Sequence, residues 1–459
     1  MYYAAQLGVK CNRSATLERR ADVRVLMNEL MKKISVLSAV VLIGGAISAA
    51  QTVTFTLPAA GEALAEITAA SPGAQWGKSG AEAADATLTL DGAYNQDILL
   101  YMGAEPWTYR VFLGPLSAGT HRLTLTRNAQ WSAAGAGFEM KKAQVRAVLP
   151  ADPEYAVIAH APILYARADT LGRFSDAPLM MWYEELAEGE IQYSVIFTNE
   201  DGGTPSDALM ARWGRGTDIE YVYRVTLDVR GARDEIYQAP DHKDLHFQGK
   251  KVGAHPLILI ATLNNTFSDA GYTPVQYRMA PQLADLSAAT RESVMDTNPW
   301  TYRVMAEELR HEGKLREFGA EAPPAIGDPR QYLNLEMKVE VHGAAGVAAW
   351  VRRNDSPKWY SSHRGRLDFA ISRNGWVRTT IELPPGTRAA DVEEVTVECL
   401  DLRDPRVSAA MTGPPPECTV QPGKAFFLGD DYVPGRSFVQ PGAATRLRAG
   451  EQVSLGLAR

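Results

Sequence analysis

The sequence predicts a mainly all-β protein built from tandem β-sandwich or jelly-roll modules, with one prominent helix near residues 299–317. The first observation is that short segments of alternating apolar and polar residues recur at a spacing of roughly ten residues, as in half-buried sandwich strands. The second is that turn dipeptides such as Asp91-Gly92 separate these segments. The third is that sustained helical periodicity is confined to one segment. With 459 residues, the chain is long enough for two to four such domains.

Residues 1–50 are expected to hold a mis-started N-terminus, with translation beginning at Met27 or Met31, followed by a secretory signal peptide. A basic run at 31–33 is followed by an apolar run at 34–47 and by small residues at 48–50. We expect cleavage before Gln51 and a secreted or periplasmic protein; an uncleaved N-terminal anchor is the alternative. Beyond this leader no stretch reaches the roughly 20 apolar residues of a membrane span, so we expect no transmembrane segment after cleavage.

The charge balance argues against nucleic acid as a partner. The whole chain carries a net charge of −7, and without residues 1–50 it retains 40 basic and 51 acidic residues, a net charge of −11. A surface that binds nucleic acid needs a basic footprint, which this balance does not favour.

Only two cysteines, Cys399 and Cys418, lie outside the leader. In an oxidising compartment an isolated pair is most simply a disulfide, and closing a loop of this size contributes roughly 3 kcal/mol. Two free buried thiols are the alternative.

Residues 51–150 read as an N-terminal β-sandwich module. Its phrase 113–123, in which a strand turns at Gly-Pro and returns after Gly-Thr-His, resembles the non-catalytic, carbohydrate-binding-like jelly-roll modules of secreted bacterial proteins. Trp76, Trp107 and Trp131 either stack on sugar rings or fill the sandwich core. The expected strands are 53–57, 86–90, 97–101, 109–113, 119–126 and 138–145.

Residues 154–290 form the next β-rich segment, with expected strands at 192–198, 219–227, 235–237 and 256–263; residues 208–213 fit a helical turn or a strand. A helix and linker at 296–320 follow. Pro299 stands in the first turn of the predicted helix, and Glu308 is expected outside its apolar face.

Residues 330–420 are expected to form a C-terminal β-sandwich module that contains the disulfide. Its strands are predicted at 333–341, 347–352, 367–371, 376–381 and 392–399. The segment 354–360 reads as a loop, which makes Trp359 and Tyr360 candidates for an exposed ligand-binding surface. Residues 421–459 form a Gly- and Pro-rich tail, expected either to pack back as edge strands or to stay loose.

Three phrases stand out in the central segment: 217–221 opens a strand, 237–242 contains a Gln and a His, and 255–265 begins with His-Pro and ends in amides. With these phrases the segment resembles the Vps62-like (vacuolar protein sorting 62) domain. The resemblance implies a β-sandwich-like domain with a polar edge. The chain departs from the family pattern at Ile219 and Tyr221, where Trp and His are typical, so the resemblance does not carry a chemistry with it.

Asp218 and Glu220 are candidate catalytic residues. Two positions apart on a strand, they point to the same face about 7 Å apart, a spacing at which paired carboxylates can divide acid and base roles. A solvated strand end, or a pair bridged by Arg212 or Arg215, is the alternative.

His242, Asp244 and His246 are candidate ligands for a divalent metal, the one cofactor that the sequence suggests. On a strand the three share a face, and imidazole and carboxylate groups both bind such ions. A polar loop is the alternative. In the same region, 199–204 fits either a calcium loop or an ordinary hairpin loop.

These observations leave two functions open. The first is a secreted binding or surface-interaction protein, with carbohydrate or another cell-surface ligand held through Trp107, Trp359 and Tyr360. The second is a metal- or carboxylate-dependent hydrolase, acting on carbohydrate or another substrate, with its site in the central domain. Convergence of Asp218, Glu220, His242 and His246 in space would favour the second.

Overall fold

The computed structural model describes residues 50–403 and 414–458. The predicted leader up to residue 49 and part of the loop between the two cysteines lie outside the described residues. Within the described part, 26 strands and four α-helices are present, which confirms the predicted all-β fold class. No helix among these residues is long and apolar enough to cross a membrane.

The N-terminal segment folds into two packed antiparallel sheets. Alternation explains the packing: Val53, Phe55 and Leu57 of the first strand are buried while Thr54 and Thr56 are exposed. One sheet has the order β1-β6-β3-β4 and the other the order β5-β2-β7. The strands are β1 Gln51–Leu57, β2 Gly61–Ala70, β3 Asp85–Leu90, β4 Ala93–Leu99, β5 Trp107–Leu116, β6 Gly119–Arg127 and β7 Glu139–Val148.

The central segment contains a six-stranded sheet of order β13-β12-β11-β10-β9-β18 and a smaller sheet of order β14-β15-β8-β17, in which β16 also pairs with β15. Buried aromatic residues such as Tyr193 and Tyr223 fill the core between them. The strands are β8 Ile163–Tyr165, β9 Pro178–Ala187, β10 Glu190–Phe197, β11 Ile219–Asp228, β12 Gly231–Ala239, β13 Lys243–His246, β14 Lys251–Val252, β15 His255–Ile260, β16 Phe267–Ser268, β17 Gln276–Tyr277 and β18 Gln282–Leu283.

The α-helices are α1 Tyr155–Ala159, α2 Ser206–Trp213, α3 Ser293–Thr297 and α4 Trp300–His311. The prominent helix is therefore present but ends earlier than predicted, since Gly313 adopts a left-handed conformation just after it. One expectation about its faces is wrong. Glu308 is fully buried rather than solvent-facing, because the indole of Trp76 donates a hydrogen bond to its carboxyl group.

The C-terminal segment forms two sheets, of order β22-β19-β24-β25 and β21-β20-β23-β26, and the tail joins both through its last two strands. Residues 367–371, predicted as a strand, instead contain a 3₁₀ helix at Leu367–Phe369. The strands are β19 Tyr332–His342, β20 Ala345–Arg353, β21 Trp359–Ser361, β22 Gly375–Glu382, β23 Val392–Asp401, β24 Glu417–Phe426, β25 Thr445–Arg448 and β26 Gln452–Ser454.

The predicted disulfide between Cys399 and Cys418 is confirmed. It joins β23 to β24, with a Cα–Cα distance of 5.7 Å, and so links the two C-terminal sheets. Both cysteines are fully buried in the apolar core between these sheets.

Candidate functional site

Seven polar residues at strand ends of the central segment gather into one group, referred to below as the central cluster. Asp218 and Glu220 stand at the start of β11, and Gln238 lies near the end of the neighbouring strand β12. His242 follows β12 in a short 3₁₀ turn. The members of the central cluster are Glu200, Asp218, Glu220, Gln238, His242, Asn264 and Asn265.

Gln238 links a buried carboxylate to a half-exposed histidine. Its amide nitrogen donates to Glu220 Oε2 at 2.7 Å and lies 2.6 Å from His242 Nδ1. His242 Nδ1 itself lies 3.7 Å from Glu220 Oε2. The other ring nitrogen, Nε2, is 2.9 Å from the amide nitrogen of Asn264. The imidazole is therefore held from both sides, although about half of its side chain remains exposed.

Asp218 lies on the buried side of the central cluster. Its Oδ2 accepts a hydrogen bond from the Asn265 amide at 3.1 Å, and its Oδ1 lies 3.4 Å from Arg215 Nη1. Arg215 also pairs with Glu292 at 3.2 Å. The Arg215 cation is thus shared between Asp218 and Glu292, and the Asp218 side chain is almost completely buried.

Burial and mutual repulsion separate the proton affinities of the carboxyl groups. Burial, reinforced by the charge of Asp218, raises the pKa of Glu200 to about 8. Burial and Glu220 raise the pKa of Asp218 to about 6. At Glu220 burial acts in the same direction, but the hydrogen bond with His242 and other nearby donors and cations outweigh it and lower the pKa. Near neutral pH, Glu200 is therefore protonated while Glu220 is ionised, a division that acid–base catalysis requires.

The backbone around the central cluster is strained. Asp241, His242 and Asn265 have φ values of 60°, 54° and 47°, in the left-handed region that residues other than glycine rarely adopt. Each such residue costs on the order of 1–3 kcal/mol, and such strain persists mainly at functional sites. Two buried amide oxygens, Gln238 Oε1 and Asn265 Oδ1, have no hydrogen-bond partner among the described residues.

The structure brings together some of the predicted site residues and separates others. Asp218, Glu220 and His242 share the central cluster. In contrast, Asp244 bonds to the Tyr221 hydroxyl and, at 3.0 Å, to Arg224.

His246 pairs with Asp234 at 3.1 Å and is largely exposed. We compared the predicted metal ligands with all groups of three His, Cys, Asp or Glu side chains in the described ranges. Ligand atoms that all lie within 4.8 Å of one another occur there in one group, Glu308, His311 and Glu312. The structure therefore does not assemble the predicted set of His242, Asp244 and His246.

A second candidate site, the aromatic groove, lies where β5 meets the start of α4. The rings of Trp107 and Trp300 are 5.6 Å apart and inclined at 54°, and Tyr101 stacks on Trp300 at 5.1 Å. Glu105 and Arg303, paired at 3.0 Å, lie at the same opening. The groove has a volume of about 570 Å³ and is open to solvent.

The other predicted ligand-binding aromatics lie elsewhere. Trp359 belongs to β21 and is 38% exposed, with the Arg352 guanidinium 5.3 Å from its ring. Tyr360 is partly buried beneath Lys358. Trp107 and Trp359 therefore do not form one surface. Trp76 is 1% exposed, which leaves it as a core residue.

Several residues of these two sites were not predicted from the sequence. Glu200 was considered only as part of a calcium or hairpin loop, and its neighbour Asp201 is instead paired with Arg167 at 2.7 Å. Trp300 directly follows Pro299 at the start of the helix, but only the packing of that helix against β5 shows that it meets Trp107.

Comparisons with known proteins do not place the chain in a family. No family model matches it, and no curated protein matches it. The resemblance to the Vps62-like domain therefore has no support beyond the phrases that carry it.

Some solved structures are similar to part of the chain. A family 35 carbohydrate binding module from an environmental isolate is 18% identical and aligns over 23% of this chain and 73% of its own, with a TM-score of 0.17. The EclA C-terminal domain, a sugar-binding protein, is 18% identical over 25% of this chain and 81% of its own, with a TM-score of 0.17. The CBM36-1 domain of a multidomain xylanase from the hindgut metagenome of Trinervitermes trinervoides is 10% identical over 25% and 89%, with a TM-score of 0.18. TM-scores this low do not establish a shared fold.

Proposed function

We propose that the protein binds carbohydrate in the aromatic groove. The observation that carries this proposal is the pair of partly exposed indoles, Trp107 and Trp300, which meet at an angle beside a charged pair. Aromatic faces are large, rigid and apolar, and they suit the apolar C–H faces of pyranose rings. Glu105 and Arg303 supply an acceptor and donors for sugar hydroxyl groups.

The size of the aromatic groove agrees with a small or oligomeric sugar. Its volume of about 570 Å³ lies within the usual range for sites that hold small molecules, roughly 300–1,000 Å³. Tyr101 supports the Trp300 ring from one side and fixes its plane, so little side-chain entropy is lost when a ligand binds. The expected secretory leader agrees with an extracellular polysaccharide ligand.

Binding to a panel of soluble polysaccharides, measured by affinity electrophoresis and then by calorimetry, tests the proposal. Trp107→Ala and Trp300→Ala are each expected to weaken binding by about tenfold or more, since stacking contacts contribute roughly 1–3 kcal/mol. Trp359→Ala is the matched control, because Trp359 is an exposed tryptophan outside the groove. Loss of binding in the control alone would move the site to the C-terminal sheet and contradict the proposal.

A second candidate function is hydrolysis at the central cluster, favoured by the nearness of a protonated Glu200, an ionised Glu220 and a half-exposed His242. In this hypothesis the substrate displaces the Asn264 amide from His242 Nε2, this nitrogen takes a proton from the attacking water, and Glu220 on the Nδ1 side stabilises the imidazolium that forms. Glu200 gives its proton to the leaving oxygen, so that water is divided between the two products. Each such transfer contributes about 10²–10⁴-fold to a rate.

Hydrolysis of chromogenic glycosides and esters tests this second candidate. His242→Asn and Glu200→Gln are each expected to lower kcat at least about a hundredfold. His246→Asn is the control, since this nearby histidine is exposed and outside the central cluster. Hydrolysis rates that are equal in His242→Asn, Glu200→Gln and His246→Asn would show that any activity arises outside the central cluster.

A further inference from the structure

We propose that Glu308 and His311 of α4, together with Glu312 at the C-cap of this helix, form a binding site for a divalent transition-metal ion, referred to below as the helix site. The spacing i, i+3 and i+4 places the three side chains on one face of the helix. Their ligand atoms all lie within 4.8 Å of one another. Zn²⁺ bonds to nitrogen and oxygen at about 2.0–2.2 Å, so small side-chain movements would bring all three ligand atoms onto one ion.

The state of Glu308 is the independent observation that points to a ligand. Its side chain is 0% exposed, and one oxygen, Oε2, accepts a hydrogen bond from Trp76 Nε1 at 2.6 Å. The other oxygen, Oε1, has no hydrogen-bond partner among the described residues. Burying such an atom without a partner is costly, and a bound cation would remove that cost.

Hydrogen bonds from surrounding residues orient the other two side chains. His311 Nδ1 lies 2.9 Å from the carbonyl oxygen of Trp76. Because a carbonyl can only accept, Nδ1 carries the hydrogen in this arrangement, and Nε2 keeps the lone pair that would bind an ion. Nδ1 is also the ring nitrogen that lies 3.8 Å from Glu308 Oε2, so the ring would have to turn to bring Nε2 to the ion.

The Glu312 oxygens accept from Ser175 Oγ at 2.6 Å and from Asn199 Nδ2 at 2.5 Å. Such outer hydrogen bonds commonly hold metal ligands in place.

In the structure, Lys314 lies against one carboxylate of the helix site. Lys314 Nζ lies 2.6 Å from Glu312 Oε2, and about a quarter of its side chain is exposed. The ammonium group compensates the charge of Glu312. On metal binding, Lys314 would turn toward solvent, so it acts as a competitor for the helix site.

The ligand types select the class of metal. One imidazole and two carboxylates suit Zn²⁺ and similar transition ions, whereas Ca²⁺ and Mg²⁺ prefer sites made only of oxygen ligands. The helix site lies on the same helix as Trp300, and Trp76 belongs to the N-terminal segment. A bound ion would therefore fix the helix that contributes one wall of the aromatic groove.

Calorimetric titration with ZnCl₂ of the full chain, first stripped with chelator, tests the proposal. The expected result is one equivalent of Zn²⁺ bound, with Ca²⁺ binding at least about tenfold more weakly. Glu308→Gln preserves an oxygen for Trp76 but cannot supply a carboxylate ligand, and we expect it to weaken Zn²⁺ binding by about tenfold or more. Lys314→Met removes the competitor and is expected to tighten binding.

Glu307→Gln is the matched control, since Glu307 is adjacent on the same helix but not in the helix site. Circular dichroism melting identifies any variant that fails to fold. If Glu308→Gln fails to fold, the test rests on Lys314→Met, and an unchanged Zn²⁺ affinity of Lys314→Met would count against the helix site. Absence of stoichiometric Zn²⁺ binding overturns the proposal. So does binding that survives in Glu308→Gln and disappears in His246→Asn, which would place the metal at the set predicted from the sequence. None of these outcomes depends on sugar binding.

Discussion

Arg378 Nη2 lies 2.7 Å from Glu336 Oε2, and both side chains are almost completely buried. The same guanidinium donates to Asp296 Oδ2 at 2.6 Å and to the Tyr302 hydroxyl at 2.8 Å. Arg378 belongs to β22 and Glu336 to β19, while Asp296 and Tyr302 come from α3 and α4. One buried arginine therefore attaches the C-terminal sheet to the helices beside the aromatic groove.

Replacing this arginine is expected to destabilise the protein strongly. Arg378→Met keeps much of the volume but leaves Asp296 and Glu336 with only the partly exposed Lys424 as a cation, 2.7 Å and 3.7 Å away. Removing one partner of a buried ion pair costs up to about 3–5 kcal/mol. Urea unfolding followed by fluorescence measures the loss. As a control, Arg446→Met removes an arginine that is largely exposed and pairs with Glu417, so it should cost less than about 1 kcal/mol. Similar losses in both variants would contradict a special role for Arg378.

The central cluster should make stability depend on pH. The pKa of Glu200 rises from its ordinary value of 4.5 to about 8 in the folded state. The folded protein therefore holds a proton that the unfolded chain releases, and the associated stability is present below about pH 4.5 and is lost as the pH rises toward about 8. Glu200→Gln removes this dependence.

We expect the variant to exceed the wild type in unfolding free energy by roughly 3–5 kcal/mol at about pH 9, since each pKa unit corresponds to about 1.4 kcal/mol, and by less than about 1 kcal/mol at about pH 5. Thermal melts at both pH values check this. A constant difference between the two proteins would show that Glu200 does not titrate in this range.

The sequence predicts features that depend on residues close together in the chain better than features that depend on residues far apart in it. Strands such as 333–341 follow from local alternation and were predicted, because each residue's face is decided by its immediate neighbours. The segment 367–371 also alternates, yet it forms a 3₁₀ helix; Arg366 packs 3.9 Å from the Phe369 ring there.

The sites depend on contacts between distant parts of the chain. Asp218, Glu220 and His242 were predicted because they stand close together in the sequence. Glu308 was placed on the wrong face, since its partner Trp76 lies 232 residues away. No local pattern could indicate that an indole would bury this carboxyl group.

Gly203 is expected to be essential for the packing of the central cluster. Its φ is +98°, and an added Cβ would lie 2.3 Å from both Glu200 Oε1 and Asn264 Oδ1. Gly203→Ala should therefore destabilise the protein through backbone strain and through displacement of these two side chains, by about 2–4 kcal/mol in total.

Gly386→Ala separates the two effects, because Gly386 has a φ of +81° but no heavy atom within 4 Å of the added Cβ. This control should show only the strain, about 1 kcal/mol. Equal costs in the two variants, measured by chemical unfolding, would mean that crowding at Glu200 and Asn264 contributes nothing.

The disulfide should stabilise the C-terminal segment mainly by restricting the unfolded chain. Cys399 and Cys418 are 19 positions apart, and closing a loop of this length is worth about 3 kcal/mol. The Cys399→Ala/Cys418→Ala variant is therefore expected to lose roughly that amount in urea unfolding under oxidising conditions. Alanine is preferred to serine here, because both sulfur atoms lie in an apolar core where a hydroxyl group would add its own cost. The wild type measured with reductant is the matched control and should approach the variant. A wild type whose stability does not change on full reduction would contradict the prediction, because it would show that restricting the unfolded chain adds no stability.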